Sequence, residues 1–107
     1  MIDRDWCMMM ARYNIWQNRQ LLGYLEALDA GELTRERGAF FGSIMGTINH
    51  LLWGDHIWMS RFDGGTAPEA PASESTTICP TLAVWGAERF RLDGRIRLWA
   101  ANVSNVD

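Results

Sequence analysis

Leu82, Trp85, Arg89, Leu92, Ile96, Trp99 and Val103 recur at alternating steps of three and four residues. That spacing holds one stripe on one side of a helix for about six turns, whereas a strand would throw successive side chains to opposite faces. It predicts a helix from near Thr81, which follows Pro80 and can cap it, to about Val103. A helix carrying such a stripe has to bury it against other helices, so an all-α bundle is the expectation. Arg89 is the one charged member of the stripe. It can pair with Asp93 one turn later, snorkel to the stripe's edge, or bind an anionic group of a substrate.

The N-terminal third reads the same way. A helix is expected from Asp3 or Asp5 to Ala30, ending at Gly31, with Cys7, Met10, Ala11, Leu21, Leu25 and Leu28 inward. Asn14 and Asn18 fall one turn apart inside this apolar stripe. A buried amide without a partner costs about 1–3 kcal/mol, so each needs one. They either fix helix register by bonding to a facing helix or form an outer shell around a site. Trp16 lies on the outer arc with Arg12 and Arg19, where it hints at a subunit contact.

The stretch Gly38–Gly64 carries the chemistry-bearing residues. Ser43 is a candidate N-cap, and Asp63-Gly64-Gly65 is a strong stop, which gives a helix to about Phe62. At 100° per residue, Ile44, Ile48, Leu51, Trp58 and Phe62 form a broad apolar face, with Asn49, His56 and Ser60 opposite. His50 lies on the shoulder between them, with Gly46 and Gly54 one turn to either side. Two interior glycines cost about 1 kcal/mol each relative to alanine, so they need a packing or site reason. The spacing leaves two readings for His50: a core imidazole with a satisfied ring nitrogen, or a ligand with room around it. His56 sits about 120° away round the helix and cannot share one metal ion with it; it is expected at the surface.

Residues 31–42 read as a connection with a solvated charge cluster at Arg35-Glu36-Arg37, and 65–80 as a mobile loop rich in proline and small polar residues. A loop that long suits a bundle whose consecutive helices are not hairpinned. The 107 residues make one domain. Six tryptophans and six methionines supply large surfaces for burial or for an interface. With a net charge of −3, no basic excess is available to neutralise phosphates, which argues against nucleic acid as partner. All ten basic residues are arginine, so lysine Schiff-base chemistry is excluded. Cys7 and Cys79 form no metal or redox motif and read as free thiols. No apolar run is long enough for a signal peptide or a membrane span, and a cytoplasmic location is expected. No Ser-His-Asp arrangement, phosphate loop or paired-carboxylate motif is legible.

Three segments, ARYNIWQNRQLL, GAFFGSIMGTINHLLWGDHIWMSRF and ERFRLDGRIRLW, resemble the DinB/YfiT-like superfamily of metal-binding four-helix bundles, in the family's order. The run NHLL-x-x-D-x-x-W-x-x-R-F is the most specific part. The resemblance implies an up-and-down helical bundle, commonly a homodimer, with a divalent metal such as zinc or nickel. It makes His50 the first of three histidine ligands. The other two would come from an H-x-x-x-H pair on a fourth helix, and this sequence contains no such pair. Residues 1–107 are therefore expected to be a bundle domain lacking that helix, with metal binding weak or absent. Characterised members of the superfamily that this sequence resembles include metal-dependent thiol S-transferases, which use low-molecular-weight thiols, and a thiol-dependent maleylpyruvate isomerase; the family name records damage-inducible expression. A small-molecule substrate and a metal-dependent reaction are thus implied, and a non-catalytic module that pairs through its uncovered stripe is the alternative.

Overall fold

The computed structural model describes residues 2–103, and Ser104–Asp107, where the sequence turns to short polar residues, lie outside them. Four α-helices carry the fold: α1 Arg4–Glu26, α2 Ala30–Thr34, α3 Ile44–Asp63 and α4 Leu82–Asn102. Each start has a capping side chain. Asp3, Asp29, Ser43 and Thr81 accept from the backbone N–H of Trp6, Glu32, Gly46 and Val84 respectively, and Gly64 closes α3 in the left-handed conformation at φ 69°. The expected ends of α3 and α4 hold within a residue or so. Helix α1 is shorter than expected, because Asp29 opens a new helix three residues after Glu26 and places Gly31 inside α2 rather than at a terminus. Leu28, beyond the end of α1, is exposed rather than inward, and so is Met10 near its start.

Contacts fix the directions. Cys7 and Ala11 pack with Ala100 while Leu22 lies against Gly86, so α1 and α4 are antiparallel. Trp85 donates its indole N–H to the Ile48 carbonyl at 2.9 Å, and Phe62 stacks on Trp99 at 5.3 Å between centroids, so α3 and α4 run in the same direction. Parallel neighbours need a crossover. Residues 64–81 supply it by climbing back along α3, and they are not the free loop the composition suggests. Trp53 Nε1 donates to the Ala70 carbonyl at 2.8 Å, and Ala72–Thr77 form a 3-10 turn that buries Ser75 against α3. Cys79, expected on a mobile loop, is buried in the main core beside Leu52, Met59, Trp85 and Leu92.

The crossover also sets the rotation of α3. Its buried residues are Met45, Gly46, Ile48, Asn49, Leu52 and Met59, whereas Leu51, Trp58 and Phe62 remain 55–57% exposed. Asn49, placed opposite the apolar face by periodicity, is only 1% exposed and donates from Nδ2 to the carbonyls of Thr76 and Cys79 at 2.9 and 3.0 Å. The crossover's bare carbonyls need a donor more than the core needs another apolar residue, and the helix turns to provide one. On α4 the stripe from Leu82 to Val103 is buried or half-buried throughout, as its spacing predicts.

Candidate functional site

His50 is half-buried on α3, and two segments outside that helix hold it. Ser75 of the 3-10 turn, itself buried, places Oγ 2.9 Å from His50 Nδ1. Phe41 stacks on the imidazole with centroids 4.1 Å apart and planes 20° apart, and Trp53 lies 6.1 Å away on a similar plane. A hydroxyl can donate to Nδ1 or accept from it, so either tautomer satisfies that nitrogen. Nε2 makes no hydrogen bond among the described residues. The ring is thus oriented by one nitrogen and offers the other.

The two flanking glycines do different things. A Cβ on Gly46 would collide with the Phe41 carbonyl oxygen, so this glycine lets the 38–42 turn approach and bring Phe41 onto the imidazole. That turn is built on Gly38 and Gly42, both at positive φ, with Gly42 N–H donating to the Ala39 carbonyl at 2.9 Å. Gly54 meets nothing within 4 Å and does leave open space beside the next turn. Neither Ser75 nor Phe41 was visible as a partner of His50 in the sequence, because each lies across a connection whose path periodicity does not encode.

His56 belongs to a separate environment. Its Nε2 lies 3.0 Å from the Thr66 carbonyl, an acceptor only, so Nε2 carries the proton and donates. Among the described residues, no three histidine, cysteine or carboxylate side chains meet in an arrangement able to hold a metal ion. His50 alone offers a single donor, and zinc or nickel needs three or four. The residues present do not by themselves fit such a site.

A polar network crosses the bundle instead. Asp93 accepts from Asn14 Nδ2 at 2.9 Å, Asn18 Nδ2 at 3.0 Å and Arg89 Nε at 2.9 Å. Arg89, 4% exposed, brings Nη2 within 2.7 Å of Asp93 and 2.9 Å of Asp55, as ion-pair contacts without an aligned hydrogen bond from that nitrogen. Asn14 and Asn18 therefore fix α1 against α4, and they do not surround His50. Arg89 pairs with Asp93 as the one-turn spacing suggests, and adds Asp55 on α3. This one guanidinium ties the two parallel helices together.

Asp55 and Asn14 also open onto an apolar groove between α1 and α3. Ile2, Trp6, Met10, Trp58 and Phe62 form its walls and Ile96 and Trp99 part of its floor, around a cavity of about 400 Å³. The apolar arc read on α3 thus exists as a surface, but it faces outward. Where α3 ends, Asp63 binds Arg95 of α4 through two oxygens at 2.7 and 2.8 Å, and the guanidinium holds its carboxyl down at about 2. No described helix is long and apolar enough to cross a membrane. Among known proteins, the model of the DinB family matches residues 1–106. No curated protein and no solved structure matches the chain.

Proposed function

The chain belongs to the DinB family, and from that premise we propose that it acts through helix–helix assembly, its α1–α3 groove packing against the same groove of a second copy. The observation that carries this reading is the exposure of large apolar side chains along one continuous groove: Trp6, Trp58 and Phe62 are each about half exposed. Those three rings alone leave on the order of 300 Å² of apolar surface in water, near the largest patch a soluble monomer ordinarily shows. The rim carries both signs. Asp3 and Asp5 stand at the start of α1, and Arg61 lies over the Trp58 ring at 5.0 Å near the end of α3. A self-complementary pairing can therefore match unlike charges around an apolar centre.

Light scattering over a hundredfold dilution tests this. The native chain should run as a dimer and Trp58→Glu as a folded monomer. A native monomer throughout, or a dimer undisturbed by Trp58→Glu, refutes it.

A second reading is supported by the orientation of His50. With Nδ1 occupied by Ser75 and the ring clamped on Phe41, Nε2 is presented as one ligand for a divalent metal, zinc or nickel, as the family resemblance implies. The remaining donors would come from a second copy of the chain. A metal-dependent reaction on a thiol or another small molecule then belongs to the assembled protein. Zinc carried through gel filtration by the native chain and lost in His50→Ala supports this reading. Zinc retained by His50→Ala, or absent from the native chain, removes it.

A further inference from the structure

On the other flank of α3, sharing no residue with the groove, the crossover borders the gap between α3 and α4 and lines a half-open cleft of about 650 Å³. That volume is in the range of small-molecule sites. Its floor is apolar: Leu52 and Leu92 from the facing helices, Ile78 and Cys79 from the end of the crossover. The walls are held in place. Thr66 is tied to α3 through His56 and to α4 through Arg95, whose Nη1 donates to the Thr66 carbonyl at 2.9 Å.

The polar groups around this floor are weighted towards acceptance. Arg95 is neutralised by Asp63. Arg91 makes only a 3.5 Å contact with Glu88 and is 77% exposed. Glu69 has no ion-pair partner among the described residues, and His56, with Nε2–H committed to Thr66, keeps Nδ1 as an acceptor. The lining therefore carries one uncompensated negative charge, from Glu69 and Glu88 against Arg91. Burial pushes the Cys79 thiol up, and the Glu88 carboxylate adds to this, which favours the protonated form.

We propose that the α3–α4 cleft is a binding site for a small amphipathic amine. The apolar body rests on Leu52, Ile78 and Leu92, and the ammonium is held by Glu88 and Glu69. An alkyl- or arylammonium fits both halves. A carboxylate meets two carboxylates and one weakly held arginine, and a neutral alcohol gains the floor without the charge.

The experiment is calorimetric titration of the full chain with 4-phenylbutylamine, 4-phenylbutanol and 4-phenylbutyrate. The amine should bind about tenfold more tightly than either analogue, the difference expected of one partly desolvated charged hydrogen bond. Glu88→Gln and Glu69→Gln should each erase about half or more of that preference without changing the far-ultraviolet spectrum or the unfolding midpoint, and Glu26→Gln, at the end of α1, should leave it alone. Equal binding of amine and alcohol, tighter binding of the carboxylate, no binding of the amine at millimolar concentration, or a preference that survives both glutamine variants would each overturn the proposal. Glu69 and Glu88 lie at the surface, away from the groove and from His50, so dimer formation and metal retention test the earlier readings independently.

Discussion

Replacing Asp93 by leucine should be among the most damaging single changes in this chain. The carboxylate, 5% exposed, accepts three hydrogen bonds from two helices and sits against a buried guanidinium. Breaking a buried ion pair from one side costs about 3–5 kcal/mol, because the surviving charge is left without its partner. Here Arg89 keeps Asp55 at 2.9 Å, which puts the loss towards the lower end of that range. Asn14 and Asn18 are half-buried and can turn towards water, adding about 1 kcal/mol between them. Leucine returns about 1 kcal/mol of apolar burial. The net loss is then roughly 3 kcal/mol, which in a domain of this size lowers the thermal midpoint by roughly 12–24 °C. Circular dichroism melts and urea titrations at one fixed protein concentration measure it. The double variant Asp93→Leu/Arg89→Met removes both members, and should be more stable than the sum of the single losses by at least about 1 kcal/mol. A single-variant loss below about 0.5 kcal/mol, or strict additivity in the double variant, would show that the network does not hold α1, α3 and α4 together.

The paired glycines give a matched comparison: Gly46→Ala should destabilise by about 1–3 kcal/mol through its collision with the Phe41 carbonyl, while Gly54→Ala, with open space, should stabilise by about 0.5–1 kcal/mol. Equal midpoints for the two variants would refute the different packing assigned to them. Asn49→Leu strips the donor from the Thr76 and Cys79 carbonyls and should cost about 1–3 kcal/mol, with faster amide exchange across 70–80 than in α1; uniform exchange would contradict the view that this amide docks the crossover. The Asp63–Arg95 pair should make stability fall in acid: the folded carboxyl sits at about 2 against an ordinary 3.8, so its contribution is full above 3.8 and lost as pH drops towards 2. The pair is reached by water, which limits the effect to below about 1 kcal/mol, and a native and Asp63→Asn protein with the same acid profile would show that it contributes nothing.

Much of the scaffold is local physics and was legible. The three-and-four spacing from Leu82 to Val103 required a buried helix face, and Ser43, Thr81 and Gly64 marked helix ends because capping depends on one or two residues and their immediate backbone. The Arg89–Asp93 pair followed from one helical turn of separation. By itself, then, the sequence determined α3 and α4 with their capped ends, the start of α1, the stripe of α4 and the family, but not the break at Ala27 that separates α1 from α2. What it did not contain was any statement of which helix faces meet. Only the fold decided that α4 runs parallel to α3, because this depends on where the crossover lies, and its proline- and serine-rich composition does not encode a path. The same decision turned Asn49 inward to serve that segment's carbonyls and left Leu51, Trp58 and Phe62 outside. It brought Ser75 and Phe41 to His50 and Asp55 to Arg89. Each of these contacts joins residues on different elements, and periodicity within one helix carries no record of its neighbour's rotation.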